Sequence, residues 1–330
     1  MDEPLSYANE TQQRHKNYAP LGQSMKHNTP MTESEAFTYC QQLARSHYEN
    51  FHVASFFLPK SLRQPFHVIY AYCRCSDDLA DEHDGSPESR KIALGRLDDW
   101  QRQLDQCFEQ TEPSAETHPA FIALRSLLRQ YAIKKNALPK EPFADLLVAF
   151  RQDQTQQCYA TFDDLLHYCR YSANPVGRIV LHLAGPPSSE QLTWSDSICT
   201  GLQLANFWQD VRRDKDIGRC YIPQDVAQKF GVDLDDLRDT PEFRRMMQEL
   251  VTDARKRFHA GKPLVESVPK LLRADISLFI RGGLAVLDAI ERIQFNVLEV
   301  RPALSRWTKL RLLLAYAAGS VVRTISGKSS

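Results

Sequence analysis

Acidic side chains cluster in the stretch YAYCRCSDDLADEHD, which begins at Tyr70 and directly follows apolar residues. If this stretch is helical, Asp77 and Asp81 lie one turn apart and share a face with Arg74 and Tyr70. Carboxylates at this spacing offer paired oxygen ligands to a hard cation such as Mg²⁺. The pattern predicts a metal-binding helix face; the alternative is a solvated helix end. We call Asp77 to Asp81 the first acidic motif.

A second stretch, GLQLANFWQDVRRDKDIGRCYIP, has a similar pattern. Asn206, Asp210 and Asp214 are spaced four residues apart, and Gln203 falls on the same face of a continuous helix. We call Asn206 to Asp214 the second acidic motif. The two motifs are distant in the chain, so only the fold can bring them together.

Two carboxylate-bearing helices that face each other could hold a diphosphate through bound Mg²⁺. The cations Arg74 and Lys215 would then add charge-assisted contacts to the phosphate oxygens. Zinc is disfavoured because no Cys and His residues have the spacing of zinc ligands.

Helix start signals dominate the rest of the chain. Four such starts are TESE at Thr32, SPE at Ser86, TFDD at Thr161 and TPE at Thr240. Alternating strand patterns are almost absent. We predict an all-α fold of about ten helices in one domain over residues 32–325, with flexible tails at 1–31 and 326–330.

The composition excludes several classes of protein. The formal net charge is zero, so nothing indicates a nucleic-acid partner. No signal-peptide pattern opens the chain, and the eight cysteines lack CxxC spacing, which indicates free thiols in the cytoplasm. The uncharged stretch Leu312–Val322 is too short to cross a membrane. Its basic flanks leave two readings open: a peripheral helix at the inner membrane surface, or a helix packed on the core.

Four motifs resemble those of the squalene/phytoene synthase family: SHYENF, IYAYCRCSDDLAD, YCRYSANPVG and LQLANFWQDVRRDKDIGRCYIP. The resemblance implies an isoprenoid-synthase-type helical bundle around a central cavity, with Mg²⁺ and diphosphate bound by both acidic motifs. The implied metal ligands are Asp77, Asp81, Asn206, Asp210 and Asp214, and the implied catalytic residues are the four aspartates and Tyr168. The implied substrate contacts are Phe51, Tyr70, Arg74, Tyr168, Gln203, Asn206 and Tyr221.

Within the family, HYENF, SANPVGR and NFWQD are most similar to the bacterial hydroxysqualene synthases. Two features depart from the broader pattern: Gln209 replaces an arginine at an expected substrate position, and Asn174–Pro175 replace a small glycine-containing segment. We therefore expect presqualene diphosphate and water to be converted to hydroxysqualene and diphosphate. No GxGxxG motif is present, and we expect no use of NADPH.

Two alternative functions stay open. One is a condensing enzyme that makes presqualene diphosphate, squalene or phytoene from prenyl diphosphates. The other is a non-catalytic helical protein that docks on membranes or on neighbouring enzymes of isoprenoid synthesis.

Pro175 also has two interpretations. Within a helix it would remove the hydrogen bond to the carbonyl of Tyr171 and kink the chain. In one interpretation the freed carbonyl faces the cavity; in the other the kink only adjusts packing.

Overall fold

The computed structural model describes residues 31–46, 60–81 and 86–304. Within these ranges the secondary structure is helical throughout and contains no strand, which confirms the all-α prediction. No helix in the same ranges is long and apolar enough to cross a bilayer. Phe51, the tail at 1–30, the stretch Leu312–Val322 and the side chain of Asp81 lie outside the described residues.

Helices begin where the capping signals predict them. Thr32 and Glu35 form a reciprocal capping box: the Thr32 amide donates to Glu35 Oε2 at 2.9 Å, and the Glu35 amide donates to Thr32 Oγ1 at 3.3 Å. Ser86, Thr161 and Thr240 each accept a hydrogen bond from a backbone amide in the first turn of their helix. All four predicted starts are confirmed.

The first half of the bundle surrounds helix α2, which carries the first acidic motif. Its five helices are α1 (Glu33–Ser46), α2 (Lys60–Asp81), α3 (Pro87–Phe108), α4 (Pro119–Ile133) and α5 (Glu141–Asp153). The fully buried Tyr72 on α2 stacks on Trp100 of α3 and meets Phe121 of α4 edge to face. Its hydroxyl donates to the carbonyl of Phe143 on α5 at 2.8 Å. This aromatic centre fixes α2 against its neighbours.

The second half surrounds helix α8, which leads into the second acidic motif. The longer helices are α6 (Phe162–Ser172), α7 (Asn174–Ala184), α8 (Ser189–Gln209), α11 (Pro241–Gly261) and α13 (Lys270–Arg292). The short helices are α9 (Val211–Asp216), α10 (Gln224–Phe230) and α12 (Leu264–Ser267). Helix α5 contacts α6 and α7, and α2 contacts α7, so the two halves share one core.

Glycines let the helices of the second half approach closely. A Cβ atom on Gly177 of α7 would lie 2.4 Å from Ser195 Oγ and 2.5 Å from Cys199 Sγ of α8. A Cβ atom on Gly283 of α13 would lie 2.1 Å from Cζ of Phe258 on α11. The missing side chains at these two positions let α7 pack closely against α8, and α13 closely against α11.

The predicted proline kink is a break between two helices. Helix α6 ends at Ser172, Ala173 follows with φ −119° and ψ −48°, and Pro175 falls in the first turn of α7. A proline costs little there because a first-turn amide has no partner within its helix. The buried Asn174 accepts a hydrogen bond from Thr200 Oγ1 at 3.0 Å, so this pair joins α7 to α8.

Candidate active site

The first acidic motif is balanced by an arginine on its own helix. Arg74 Nη1 lies 3.2 Å from Asp77 Oδ2, and Nη2 donates to Asp78 Oδ1. Burial alone would lower the pKa of Arg74, but Asp78 and Asp77 raise it. Arg74 is therefore a fixed cation at the end of α2.

A cavity of about 400 Å³ opens between α2, α5, α6, α7 and α8, which is within the usual size range of a small-molecule site. Its wall is mainly apolar, and its lining includes Phe66, Ile69, Leu146, Phe150, Val176 and Val180. Five predicted site residues also line it: Tyr70, Arg74, Asp77, Tyr168 and Gln203. The structure thus brings the first motif and part of the second-motif helix to one apolar cavity with a charged end.

Asp153 is a cavity residue that the sequence analysis missed. It ends α5 and hydrogen-bonds to the hydroxyl of Tyr168. Burial raises the pKa of Tyr168 well above its usual value and Asp153 raises it further, so the phenol stays protonated and donates to the carboxylate. The next residue, Gln154, donates to the carbonyl of Ala80 at 3.0 Å and ties the end of α5 to α2. A lone aspartate among glutamines carries no sequence signal for this position.

The second acidic motif spans a helix break that the sequence analysis did not predict. Helix α8 ends at Gln209, and Asp210, with φ −109° and ψ 17°, caps it before α9 begins. The prediction of one continuous helix is therefore wrong at this residue. Backbone bonds from Asp210 to Asn206 (3.0 Å) and from Asp214 to Asp210 (2.8 Å) still keep the three residues one turn apart. The side chain of Asn206 is exposed.

Asp210 is balanced by an arginine from a distant part of the chain. Arg301 Nε and Nη2 donate to the two carboxylate oxygens of Asp210 at 2.8 and 3.2 Å. Burial and the neighbouring Asp210 charge together raise the pKa of Asp214 to about 7, although nearby arginines oppose this shift. The two carboxylates thus lie close enough to repel each other in a partly buried place.

Two predicted substrate contacts, Gln209 and Lys215, bind backbone carbonyls instead. Gln209 Nε2 donates to the carbonyl of Pro302 at 2.7 Å. Lys215 Nζ donates to the carbonyls of Leu234 and Asp235 at 3.2 and 2.8 Å. A phosphate contact by either side chain would have to use its remaining N–H donor or break these bonds.

An aromatic cluster connects the cavity to the second motif. Tyr221 stacks on Phe207 with ring centroids 3.8 Å apart and planes 10° apart, and it lies 6.2 Å from Tyr168. Tyr159 adjoins Tyr168 at 5.5 Å and is almost completely buried. The predicted residues Tyr168 and Tyr221 are therefore adjacent, although the sequence placed them in separate motifs.

Comparison with known proteins identifies the family. The family model for squalene/phytoene synthase matches residues 44–308. The chain belongs to the squalene/phytoene synthase family. It is 32% identical to a hydroxysqualene synthase of Rhodopseudomonas palustris over 226 residues, which are 67% of this chain and 71% of the relative. It is 27% identical to a phytoene synthase of Arthrospira platensis over 301 residues, 86% of this chain and 93% of the relative.

Solved structures of squalene/phytoene synthase type share the fold. A squalene synthase, HpnC from Alicyclobacillus acidocaldarius, superposes with a TM-score of 0.72 at 40% identity over 80% of this chain and 96% of that one. A dehydrosqualene synthase superposes at 0.74 with 22% identity over 88% of this chain and 98% of that one, which shows the fold alone. The likeness establishes a prenyltransferase-type enzyme family that acts on prenyl diphosphates.

The acidic motifs fit the divalent metal ions that squalene/phytoene synthases generally use. Among the described side chains, no three of His, Cys, Asp and Glu converge on one point. The donors nevertheless are hard carboxylate oxygens, and guanidinium cations already occupy those of Asp77 and Asp210. The raised pKa of Asp214 indicates a place where a further positive charge would relieve repulsion. Asp77, Asp210 and Asp214 are thus suited to hold such ions.

Proposed function

We propose that this protein is a hydroxysqualene synthase, which converts presqualene diphosphate and water to hydroxysqualene and diphosphate. The observation that carries the proposal is the uncharged, hydrogen-bonded side chain of Gln209. Its amide is neutral and is bonded to Pro302, so the position offers no fixed positive charge to a substrate. A condensing enzyme holds two diphosphates at once, and a forked cation at position 209 would help to bind the second. Arg301, the forked cation that does lie beside Asp210, is already paired with that carboxylate. An enzyme that receives presqualene diphosphate holds only one diphosphate.

Substrate binding follows from the two ends of the cavity. The apolar wall takes the C30 chain, because burial of hydrocarbon from water is favourable. The charged end, with Arg74 and Asp77, takes the diphosphate. Mg²⁺ bound by Asp77, Asp81, Asp210 and Asp214 would neutralise the leaving diphosphate.

The residues around the cavity then control the carbocation that remains when the carbon–oxygen bond breaks. The ring of Tyr168 lines the cavity, and its face carries the negative side of the aromatic quadrupole, which favours a neighbouring cation. Phe207 and Tyr221 stack on each other beside it. Asp153 holds the hydroxyl of Tyr168 in one orientation. After rearrangement a water oxygen forms the new bond to carbon, and the released diphosphate accepts the proton that this water loses. No general base from the protein is needed.

The test supplies presqualene diphosphate, farnesyl diphosphate and geranylgeranyl diphosphate in separate reactions with Mg²⁺ and without NADPH. We expect a C30 alcohol from presqualene diphosphate and little turnover of the other two, with products identified by mass. An EDTA-treated reaction is the control for metal dependence. Formation of presqualene diphosphate, squalene or phytoene from a prenyl diphosphate alone would reject the assignment.

The second candidate is the condensing enzyme. The observation in its favour is the phytoene synthase of Arthrospira platensis, which aligns with 86% of this chain, against 67% for the hydroxysqualene synthase of Rhodopseudomonas palustris. The same experiment separates the two, because a condensing enzyme consumes farnesyl or geranylgeranyl diphosphate without added presqualene diphosphate. A cytoplasmic location with peripheral membrane contact through residues 310–330, and contacts with neighbouring pathway enzymes, stay predictions.

A further inference from the structure

Arg301 occupies the carboxylate that a metal ion at the second acidic motif would need. Its guanidinium forms a forked, two-bond contact with both oxygens of Asp210, at 2.8 and 3.2 Å. The side chain of Arg301 is 60% exposed and that of Asp210 is 22% exposed. The arginine therefore reaches Asp210 from the solvent side and can leave without disturbing the core.

The neighbouring residues fasten this contact. Gln209, directly before Asp210, donates to the carbonyl of Pro302, directly after Arg301, at 2.7 Å. Pro302 is buried, whereas Arg301 is exposed. The bond from Gln209 thus holds the backbone of the 300–304 segment in place, while the side chain of Arg301 lies at the surface.

A metal ion and a forked guanidinium compete for the two oxygens of Asp210, because two cations held on one carboxylate repel each other at such short distance. We propose that Arg301 is a tethered cation that competes with the divalent metal for Asp210, and that Gln209 holds the tether. The inference rests on the metal-dependent function proposed above. When the metal binds, the guanidinium leaves the carboxylate, and the bond between Gln209 and Pro302 keeps it beside the motif.

Two other arginines near the acidic motifs, Arg213 and Arg74, differ from Arg301 in their described contacts. Arg213 approaches Asp210 Oδ2 only to 3.9 Å. Arg74 binds residues three and four positions along its own helix, so it needs no second segment to hold it. The combination of a forked contact and a separate backbone anchor is what indicates a competitor that is displaced and retained.

The experiment titrates the full-length protein with Mn²⁺ in the absence of substrate and follows the free ion by electron paramagnetic resonance. Arg301→Gln should tighten Mn²⁺ binding by about twofold to fivefold, the range expected when a partly exposed ion pair is removed. The matched control is Arg212→Gln, which removes the same charge from α9 but, among the contacts of the described residues, breaks only the exposed pair with Asp216, at 3.1 Å. Gln209→Ala should tighten binding by less than Arg301→Gln, because it loosens the tether without removing the cation.

Each outcome bears on the proposal. Tighter binding by Arg301→Gln but not by Arg212→Gln supports it, and so does binding that only Arg301→Gln shows. Unchanged or weaker Mn²⁺ binding by Arg301→Gln overturns the proposal. So does the absence of Mn²⁺ binding by both the wild type and Arg301→Gln. Should Arg301→Gln fail to fold, as judged by thermal unfolding without metal, Arg301→Lys replaces it; lysine lacks the fork and should also tighten binding. The product assay with presqualene diphosphate decides the proposed function separately.

Discussion

The two acidic motifs neutralise their carboxylates in different ways. In the first motif Arg74 binds Asp77 and Asp78 on the same helix, three and four residues away. In the second motif the partner of Asp210 is Arg301, which lies 91 residues later in the chain. The first arrangement forms whenever α2 is helical, whereas the second forms only when α13 has packed and the 300–304 segment has returned to α8.

Arg74 is therefore a permanent cation at the first motif, whereas the presence of Arg301 at the second motif depends on the rest of the fold. Local pairing at helical spacing keeps Arg74 beside Asp77 and Asp78 wherever α2 is helical. Pairing over a long stretch of chain makes the charge at Asp210 depend on tertiary structure and on what else binds there. If both motifs serve one diphosphate, the first supplies a constant charge and the second supplies a site that responds to the ligand.

The largest expected loss of activity comes from substitutions in the acidic motifs, which test whether the two motifs serve one reaction. Asp77→Asn and Asp210→Asn should each lower the rate of diphosphate release from presqualene diphosphate by about 100-fold or more, because each removes a charge that stabilises the leaving group through metal. Asp216→Asn is the control, since Asp216 lies on α9, is exposed and pairs only with Arg212 among the contacts described. Near-normal turnover by one of the two motif variants would show that the motifs are not equivalent partners.

Substitutions of Asp153 and Tyr168, which line the cavity between the motifs, should have the next largest effect on activity. Asp153→Asn should lower kcat by about tenfold to 100-fold with little change in KM, because it weakens a charged hydrogen bond to Tyr168 that matters in the transition state. Tyr168→Phe should lower kcat to a similar extent and change the ratio of alcohol to hydrocarbon products. Tyr171→Phe, on the same helix but not in the cavity lining, is the control. A change in KM alone would contradict a role for this pair in the chemistry.

The two halves should also differ in their response to acid. The ring of His118, at the start of α4, contacts Trp100 and Tyr39, and burial lowers its pKa to about 4. The unfolded chain binds a proton near pH 6.5, so stability is lost as the pH falls from about 6.5 to 4, by about 1–3 kcal/mol. His118→Asn keeps the helix cap that accepts from the Ala120 amide and should reduce this loss.

Urea unfolding at pH 7 and pH 5 measures the effect, with the exposed His167 replaced by Asn as the control. An equal loss of stability on acidification in wild type and His118→Asn would show that other groups are responsible.

The smallest expected effects come from two adjacent glycines on α13, the helix that leads to Arg301. Gly283→Ala should destabilise the protein by about 1–3 kcal/mol, because the new methyl group overlaps the ring of Phe258. Gly282→Ala should stabilise it by about 0.5–1 kcal/mol, since nothing lies within 4 Å and alanine is the better helix former. Thermal unfolding compares them, and shifts of the same sign would contradict the close packing of α13 on α11.

The parts of the structure that the sequence predicted correctly depend on local pattern. The helix starts at Thr32, Ser86, Thr161 and Thr240 follow from capping residues, and the stripe on α2 follows from helical spacing. The helix break at Asp210 could not be predicted, because the second motif keeps the spacing of a continuous helix. Likewise Asp153 and Arg301 carry no signature of their own. They acquire a role only through contacts that the fold makes between distant segments.

The burial of Trp208 has a practical consequence. This indole lies two residues before Asp210, is fully buried, and its ring nitrogen has no hydrogen-bond partner in the part of the protein that the structure describes. An indole in dry, apolar surroundings fluoresces at short wavelength, and its emission moves to longer wavelength when water or a new polar group arrives. The chain has four tryptophans, so a variant that keeps only Trp208 would carry an optical reporter beside the second motif, and rearrangement of that helix end would be visible in solution without a label.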